Sequence, residues 1–290
     1  MRRICLVWVV VREPRRTLPN VRRDDGSYAS KDSSLRTLDL FNLAGLTVLV
    51  TGGGTGIGRG LAVGFAEAGA SVAVCGRTQA TLDDTAAEIE AVGQRALAIT
   101  ADVTQADQIA SVVDRILKEW NRLDVACNNA GVNNWVDSVN LSETDWNWIY
   151  DTNVKGAFFS AQAEGRVMIV AGRGSIINLA SISARVTNRP QMQAHYNSSK
   201  AALVQLTKSL ASEWASSGVR VNSLSPGYTR TEMADAPRTR EAQPIWTRDT
   251  PMGRMAEVDE LRGPAIFLAS QASSYVTGHD LVVDGGFTIW

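Results

Sequence analysis

The 290-residue sequence has few residues of the kinds that build metal centres and disulfide frameworks. Its two histidines, His195 and His279, are too few for a His/Cys metal cluster of recognisable spacing, so we expect no metal site. The three cysteines, Cys5, Cys75 and Cys127, are odd in number and far apart. This favours free thiols in a reducing compartment over a disulfide framework.

An excess of one charge and a long apolar run are also missing. The 29 Lys and Arg residues nearly balance the 30 Asp and Glu residues, so no bulk attraction to nucleic acid or to a membrane surface is expected. No apolar run reaches the roughly 20 residues that span a bilayer. With 44% hydrophobic residues, the chain can bury the core of one large domain. We therefore expect a cytoplasmic protein.

The first 42 residues differ in composition from the rest. They are rich in Arg, Ser and Asp, and their one apolar run, residues 4–11, is short for a signal peptide and lacks a cleavage pattern before the next arginine cluster. Three aspartates argue against a mitochondrial presequence, although import into an organelle stays open. The sequence predicts a flexible extension over residues 1–42 and a single folded domain over residues 43–290.

From residue 46 onward, short β-branched runs alternate with helical stretches of ten or more residues, one of which is predicted to be a long helix over about 143–171. Strands are predicted at 47–51, 71–75, 96–100, 123–129, 175–181, 219–227 and 279–286. The alternation indicates βαβ units in a parallel, doubly wound α/β sheet with helices on both faces. A stretch at about 232–257 has no role in this sheet and is predicted to be a lid.

The first predicted strand runs into a glycine cluster, TGGGTGIG. Gly52, Gly56 and Gly58, with Thr55 and Ile57 between them, would let the backbone approach a pyrophosphate at the N-terminus of the next helix. The spacing differs from the common G-x-G-x-x-G, and a plain tight turn is the alternative. The order strand, glycines, helix favours a dinucleotide site.

The end of the second strand bears on the choice of dinucleotide. An acidic residue there would accept hydrogen bonds from the ribose of NAD. Gly76 stands in that place instead, and Arg77 follows it. A guanidinium can clamp a 2′-phosphate through paired hydrogen bonds, whereas the alternative is a surface arginine. The sequence favours NADP(H) over NAD(H).

The hexapeptide HYNSSK, residues 195–200, sets Tyr196 and Lys200 one helical turn apart on one face. A free tyrosine has a pKa of about 10 and is a poor base near neutrality. A neighbouring ammonium group favours the phenolate, so the pair can pass a proton to or from an alcohol oxygen. A lone Y-x-x-x-K could still arise by chance.

These motifs occur in a fixed order with NNAG at 128–131, Asn153, Ser181 and SPG at 225–227. Together they resemble the classical short-chain dehydrogenase/reductase family over roughly residues 43–290. QAHYNSSKAA and SPGYT resemble most its polyol dehydrogenases and ketose reductases. The resemblance implies a Rossmann-type domain with seven parallel strands in the order 3-2-1-4-5-6-7. It also implies an NAD(P)-dependent oxidoreductase that interconverts a secondary alcohol and a ketone, assembled as a dimer or tetramer.

By that resemblance, the catalytic residues are Asn153, Ser181, Tyr196 and Lys200. Ser181 would polarise the substrate carbonyl, and the Asn153 backbone would hold a water in a proton relay to Lys200. Besides the glycine loop and Arg77, the expected cofactor contacts are Asp102, Val103, Asn129, Ala130, Gly131, Tyr196, Lys200, Pro226, Gly227, Thr229 and Thr231.

The substrate contacts expected from the sequence are Asn133, Ser183, Gln193, His195 and Tyr228. Their polarity suits a polyol or ketose. Trp135, Met192 and Trp246 could instead form an apolar wall, so a broad carbonyl reductase or a 3-oxoacyl reductase is the alternative. A serine hydrolase is excluded because the G-x-S-x-G elbow is missing. A cofactor-sensing scaffold would need a broken Ser/Tyr/Lys set, and this set is intact.

Overall fold

The computed structural model describes residues 36–232, 234 and 236–289. The extension predicted for residues 1–42 falls mostly on residues 1–35, which lie outside the described part. Thr37–Phe41 form a short 3-10 turn, and Leu43 is already buried in the core. From Thr37 onward the chain forms one compact unit.

Seven parallel strands form one sheet in the order β3-β2-β1-β4-β5-β6-β7, as predicted. The strands are β1 Thr47–Thr51, β2 Ser71–Gly76, β3 Ala96–Thr100, β4 Val125–Asn128, β5 Gly174–Leu179, β6 Val219–Pro226 and β7 Asp280–Val283. Thr51 pairs with Asn128, and Asn128 pairs with Asn178, so the loops after β1, β4 and β5 start at one edge. The strand order reverses between β1 and β4, and ligands bind open α/β sheets at such a point.

Helices cover both faces of the sheet. They are α1 Gly56–Glu67, α2 Gln79–Ala91, α3 Ala106–Trp120, α4 Glu143–Tyr150, α5 Ala157–Ala171, α6 Ala194–Trp214, α7 Pro237–Asp249 and α8 Arg262–Ala269. Leu61 and Phe65 of α1 lie one turn apart and pack into the core on one face. Met168 of α5 and Leu210 of α6 pack into the core on the other.

The structure differs from the predicted elements mainly at the sheet edge. Strands β4 to β7 end one to three residues earlier than the apolar runs suggest, and the residues beyond these ends, such as Asn129 and Ser181, belong to loops. The single helix expected over 143–171 is divided by a π-helical turn, Asp151–Gly156. Asn153 lies in this turn, and π turns are frequent at functional sites.

The stretch predicted to be a lid contains α7. The side chain of Trp246 is 5% exposed and packs with Ala242, Met255, Trp135 and Tyr228 in a small separate cluster. Movement of this segment stays a prediction. Within the described residues, no helix is long and apolar enough to cross a membrane.

Candidate active site

The loop between β1 and α1 is shaped by its glycines. Gly52 and Gly56 have φ of +63° and +51°, which L residues rarely adopt. A Cβ on Gly58 would collide with the Gly52 carbonyl oxygen and the Asn129 side chain. Thr55, at the N-cap of α1, makes no capping bond with its side chain. Backbone N–H groups at the start of α1 are thus available to an anion, and the cradle fits a diphosphate.

The end of β4 holds this loop in place. The Asn129 side-chain amide donates to the carbonyl oxygens of Thr51 and Gly52 at 3.1 and 3.0 Å. The Ala130 N–H donates to the Thr51 hydroxyl at 3.1 Å. A Cβ on Gly131 would lie 3.4 Å from Asn153 Oδ1, so the backbone at this position is closely approached by the catalytic candidates.

Three predicted cofactor residues follow β2 and β3. Arg77 is exposed directly after Gly76, and it makes no hydrogen bond or ion pair with the residues that the structure describes. The Asp102 carboxylate accepts from the Thr104 N–H at 2.9 Å, so it shapes the turn before α3. Val103 is buried against Gly156. Asp102 and Val103 are thus engaged in local contacts, whereas the exposed Arg77 guanidinium is free to bind a ligand at the sheet edge.

The residues after β6 run from the sheet edge toward the glycine loop between β1 and α1. The Gly227 N–H donates to the Val283 carbonyl oxygen at 2.9 Å, and the Thr229 hydroxyl donates to the Gly227 carbonyl oxygen at 3.1 Å. Thr231 lies opposite the glycine loop, because a Cβ on Gly56 would be 3.6 Å from Thr231 Cγ2. The segment from Pro226 to Thr231 thus crosses from the sheet edge to the diphosphate cradle.

Ser181, Tyr196 and Lys200 meet between β5 and α6. The ammonium nitrogen of Lys200 is 5.7 Å from the centroid of the Tyr196 ring and donates to the Leu179 carbonyl oxygen at 2.8 Å. The side chain of Ser181 lies close enough to the Tyr196 phenol to influence its pKa. The Ser181 hydroxyl oxygen also accepts from the Ser183 N–H at 3.1 Å, which fixes the turn after β5.

Burial is the largest influence on the pKa of both Tyr196 and Lys200. Burial raises the pKa of Tyr196, the Ser181 side chain opposes this, and nearby Tyr228 adds to it. Burial lowers the pKa of Lys200 to about 8. In the chain alone, therefore, the phenol holds its proton and can act as an acid.

The side chain of Asn153 is hydrogen-bonded to the backbone of the loop after β4. Its Oδ1 accepts from the Val132 N–H at 2.8 Å, and its Nδ2 donates to the Val132 carbonyl oxygen at 3.0 Å. Nδ2 also donates to the Ser199 hydroxyl at 3.2 Å. Asn153 is buried, so only its backbone could serve a water relay.

A cluster of amide side chains lies beyond Ser181. We call it the amide cluster, and its members are Asn133, Asn188, Gln193 and Asn197. Asn133 donates to Gln193 Oε1 at 2.9 Å, and Gln193 donates to Asn197 Oδ1 at 3.0 Å. The Ser183 hydroxyl donates to Asn188 Oδ1 at 2.6 Å. The Tyr228 hydroxyl accepts from Asn188 Nδ2 at 3.1 Å. The structure thus brings together four of the five predicted substrate residues, namely Asn133, Ser183, Gln193 and Tyr228.

The His195 side chain is not hydrogen-bonded to any of these four described residues. It is fully buried, and its Nε2 pairs with Asn134 Oδ1 at 2.6 Å. Asn134 Nδ2 in turn donates to the Asp145 carboxylate at 2.8 Å. Burial lowers the pKa of His195, and the Asp145 carboxylate opposes this. His195 therefore joins α6 to the loop after β4 and, through Asn134, to α4.

Sequence reasoning missed the partners that orient these groups. No motif marked Asp145 or the Leu179 carbonyl oxygen. Glu164 of α5 is also buried, accepting from Asn128 Nδ2 at 3.0 Å, and burial raises its pKa to about 8. Within the described residues, no group of three or more His, Cys, Asp and Glu side chains could hold a metal ion.

Comparison with known proteins covers nearly all of the folded part. The family described as "Enoyl-(Acyl carrier protein) reductase" matches residues 52–288. A galactitol 2-dehydrogenase (L-tagatose-forming) of Cereibacter sphaeroides is 42% identical over 252 residues, which are 87% of this chain and 98% of the relative.

Two solved structures are similar over the same region. A short-chain type dehydrogenase/reductase from Mycobacterium marinum has 45% identity and a TM-score of 0.85, covering 87% of this chain and 99% of that one. A gluconate 5-dehydrogenase from Burkholderia cenocepacia, in complex with NADP and tartrate, has 36% identity and a TM-score of 0.82. The match covers 88% of this chain and 100% of that one.

Proposed function

We propose that this chain, which belongs to the short-chain dehydrogenase/reductase family and is an NAD(P)-dependent oxidoreductase of CH–OH groups, interconverts a polyol and a ketose and prefers NADP(H). The observation that carries the proposal is the meeting of Ser181, Tyr196 and Lys200 beside the amide cluster. That arrangement sets a proton donor and a carbonyl-polarising hydroxyl next to a wall of hydrogen-bonding groups.

The proton chemistry follows from the contacts of Tyr196. When bound, the nicotinamide cofactor supplies or accepts the hydride. Tyr196 donates its proton to the substrate oxygen as that oxygen gains negative charge, and in the reverse direction the phenolate takes the proton back. The Ser181 hydroxyl donates a hydrogen bond to the same oxygen. Because the pKa of Tyr196 is raised, the proton is present at neutral pH when a ketone is to be reduced.

Lys200 and Asn153 would return the proton to Tyr196. With a pKa of about 8, Lys200 can lose and regain a proton near neutrality. The side chain of Asn153 is already engaged, and the π turn interrupts the regular bonding of its helix. We infer that a backbone carbonyl of this turn holds a water that connects Lys200 with solvent.

The amide cluster supports a polyol or ketose as substrate. Amide groups can donate to and accept from neighbouring hydroxyls, and their shared bonds hold them in one geometry. The similarity to a galactitol 2-dehydrogenase supports the same substrate class. The alternative, reduction of a bulky or acyl ketone, is supported by Trp135 and Trp246, whose rings meet edge to face with centroids 6.1 Å apart.

Initial rates with a panel of substrates test the proposal. Galactitol and D-gluconate are offered for oxidation, and D-fructose, cyclohexanone and an acetoacetyl thioester for reduction, each with both nicotinamide cofactors. The expected result is a higher kcat/KM for the hydroxylated compounds than for cyclohexanone and the thioester. A preference for the thioester would support the acyl alternative instead.

The cofactor preference depends on Arg77. Since its guanidinium has no described partner, it is free to bind the 2′-phosphate through paired hydrogen bonds. Replacing Arg77 with Ala should raise KM for NADPH roughly tenfold to a hundredfold and leave KM for NADH within about twofold. Arg115 of α3, which pairs with Glu119, offers the matched control Arg115→Ala. An unchanged NADPH to NADH ratio in Arg77→Ala would overturn the assignment.

A homo-oligomer is part of the proposal. An apolar groove of about 430 Å³ on α4, α5 and α6 is lined by Tyr150, Val154, Phe158 and Leu206, among others. We expect sedimentation equilibrium to give a dimer or tetramer. Phe158→Lys, which sets a charge in the groove, should shift the protein toward monomer. A wild-type monomer at micromolar concentration would contradict this.

A further inference from the structure

Tyr228 is a second tyrosine of the site, and its hydroxyl has an unusual set of partners. The ring stacks on Trp246 with centroids 4.3 Å apart and meets Phe287 edge to face at 5.2 Å. The hydroxyl oxygen accepts from Asn188 Nδ2 and from Gln191 Nε2, each at 3.1 Å. Both bonds use the oxygen of the phenol, and neither uses its proton.

The direction of the Gln191 bond is set by Trp246. An indole N–H can only donate, and Trp246 Nε1 lies 3.0 Å from Gln191 Oε1. The Gln191 side chain must therefore turn its oxygen toward Trp246. Its NH₂ group then faces Tyr228 and donates to the phenol oxygen.

The direction of the Asn188 bond is set by Ser183 and Gln193. Asn188 Oδ1 lies 2.6 Å from the Ser183 hydroxyl, a separation usual for O–H···O bonds and short for N–H···O bonds. Gln193 Nε2 donates to the same oxygen at 3.3 Å. The NH₂ group of Asn188 therefore faces Tyr228 as well.

Two donors thus occupy the acceptor positions of the Tyr228 oxygen, and its O–H must point elsewhere. None of the described residues accepts this proton. The group lies close to the reaction site, since a continuous set of hydrogen bonds runs from Tyr228 through Asn188 and Ser183 to Ser181. An oriented donor without an acceptor, next to the reacting group, is suited to bind a ligand oxygen.

We propose that Tyr228 is a specificity-determining residue whose O–H donates a hydrogen bond to a substrate oxygen other than the reacting one. This inference rests on the proposed function, because it assumes that a carbonyl or carbinol is bound between Ser181 and Tyr196. It deepens that function by naming the substrate class. A substrate with a hydroxyl or carboxylate near the reacting carbon gains this bond, and a simple ketone does not.

Tyr228→Phe removes the hydroxyl and keeps the ring on Trp246. For D-fructose, KM should rise roughly tenfold to fiftyfold while kcat stays within about threefold. For cyclohexanone, which has no second oxygen, KM should stay within about twofold. The same change at Tyr275, which is fully exposed, is the matched control and should alter neither.

Asn188→Asp tests the hydrogen bond of the Tyr228 O–H without changing the packing of the Tyr228 ring on Trp246. The carboxylate keeps its bonds with Ser183 and Gln193, and its second oxygen accepts the Tyr228 proton, which is then lost to the substrate. Both rings stay in place, yet KM for D-fructose should rise as in Tyr228→Phe. If Asn188 acted on the substrate directly and not through Tyr228, the double variant with Tyr228→Phe would raise KM further than either change alone, and this would overturn the inference.

Binding gives a readout apart from turnover. Calorimetric titration of D-fructose into NADP⁺-loaded protein should show a Kd at least tenfold weaker in Tyr228→Phe than in wild type. An unchanged KM and Kd for D-fructose, or an equal rise for cyclohexanone, would overturn the inference while wild-type activity still upheld the proposed function. Wild-type protein inactive on the whole panel would reject the proposed function, and this inference with it.

Discussion

Replacing Tyr196 with Phe should lower kcat by about a thousandfold in both directions. Positioned general acids and bases contribute roughly a hundredfold to ten-thousandfold, and the Tyr196 phenol is the candidate acid beside Ser181. The change is isosteric, so the thermal unfolding temperature and the Kd for NADPH should move little. The measurements are steady-state kinetics, a fluorescence titration with NADPH and a thermal melt.

Tyr275→Phe serves as the control for this substitution too, because Tyr275 is fully exposed and outside the site. Turnover of Tyr196→Phe within a few fold of wild type would reject the proposed mechanism. A loss of turnover together with a loss of NADPH binding would instead show that the phenol acts mainly on the cofactor.

Replacing Lys200 with Met should lower kcat roughly a hundredfold to a thousandfold and also stabilise the cofactor-free protein. Lys200 is 4% exposed, and burial lowers its pKa to about 8 from 10.5. At pH 7 the folded chain therefore holds a buried ammonium, whose only described hydrogen bond is to the Leu179 carbonyl oxygen. Removing this charge should increase the free energy of unfolding by on the order of 2 kcal/mol.

The gain in stability should depend on pH with a definite sign. Between about pH 8 and 10.5 the unfolded chain binds more proton at Lys200 than the folded chain does, so wild-type stability rises with pH in this window. The advantage of Lys200→Met should therefore be full below pH 8 and shrink above it. Thermal melts from pH 6.5 to pH 10 measure it.

Lys208 offers the matched control, since it is exposed on the same helix. Lys208→Met should change neither kcat nor the pH dependence of the melting temperature. A Lys200→Met protein less stable than wild type at pH 7 would show that the bond to Leu179 outweighs the cost of the buried charge.

Much of this protein was predictable because its local patterns are strong. Short apolar runs alternating with helices predicted the parallel sheet, and a right-handed crossover after each strand leaves few topologies. The strand, glycines and helix around Gly56 predicted the cradle, since each part is a local backbone preference. The spacing of Tyr196 and Lys200 predicted one helical face, and the structure has both on α6.

Other features could not be read from the sequence. The amide at residue 153 was expected within one long helix, but it lies in a π turn and binds the backbone of Val132, 21 residues away. His195 was expected among the substrate contacts because it adds to the polarity of the region before Tyr196. On a helix adjacent side chains point about 100° apart, and its side chain turns toward Asn134 instead.

The sequence by itself determined the family, the sheet and the set of candidate proton-transfer residues, because motif order and periodicity are properties of neighbouring positions. Only the tertiary structure decided what each group can donate or accept. The raised pKa of Tyr196 comes from burial, and the free proton of Tyr228 comes from Trp246 turning the amide of Gln191, 55 residues away. Burial and hydrogen-bond direction depend on which distant segments meet, and no local pattern encodes that meeting.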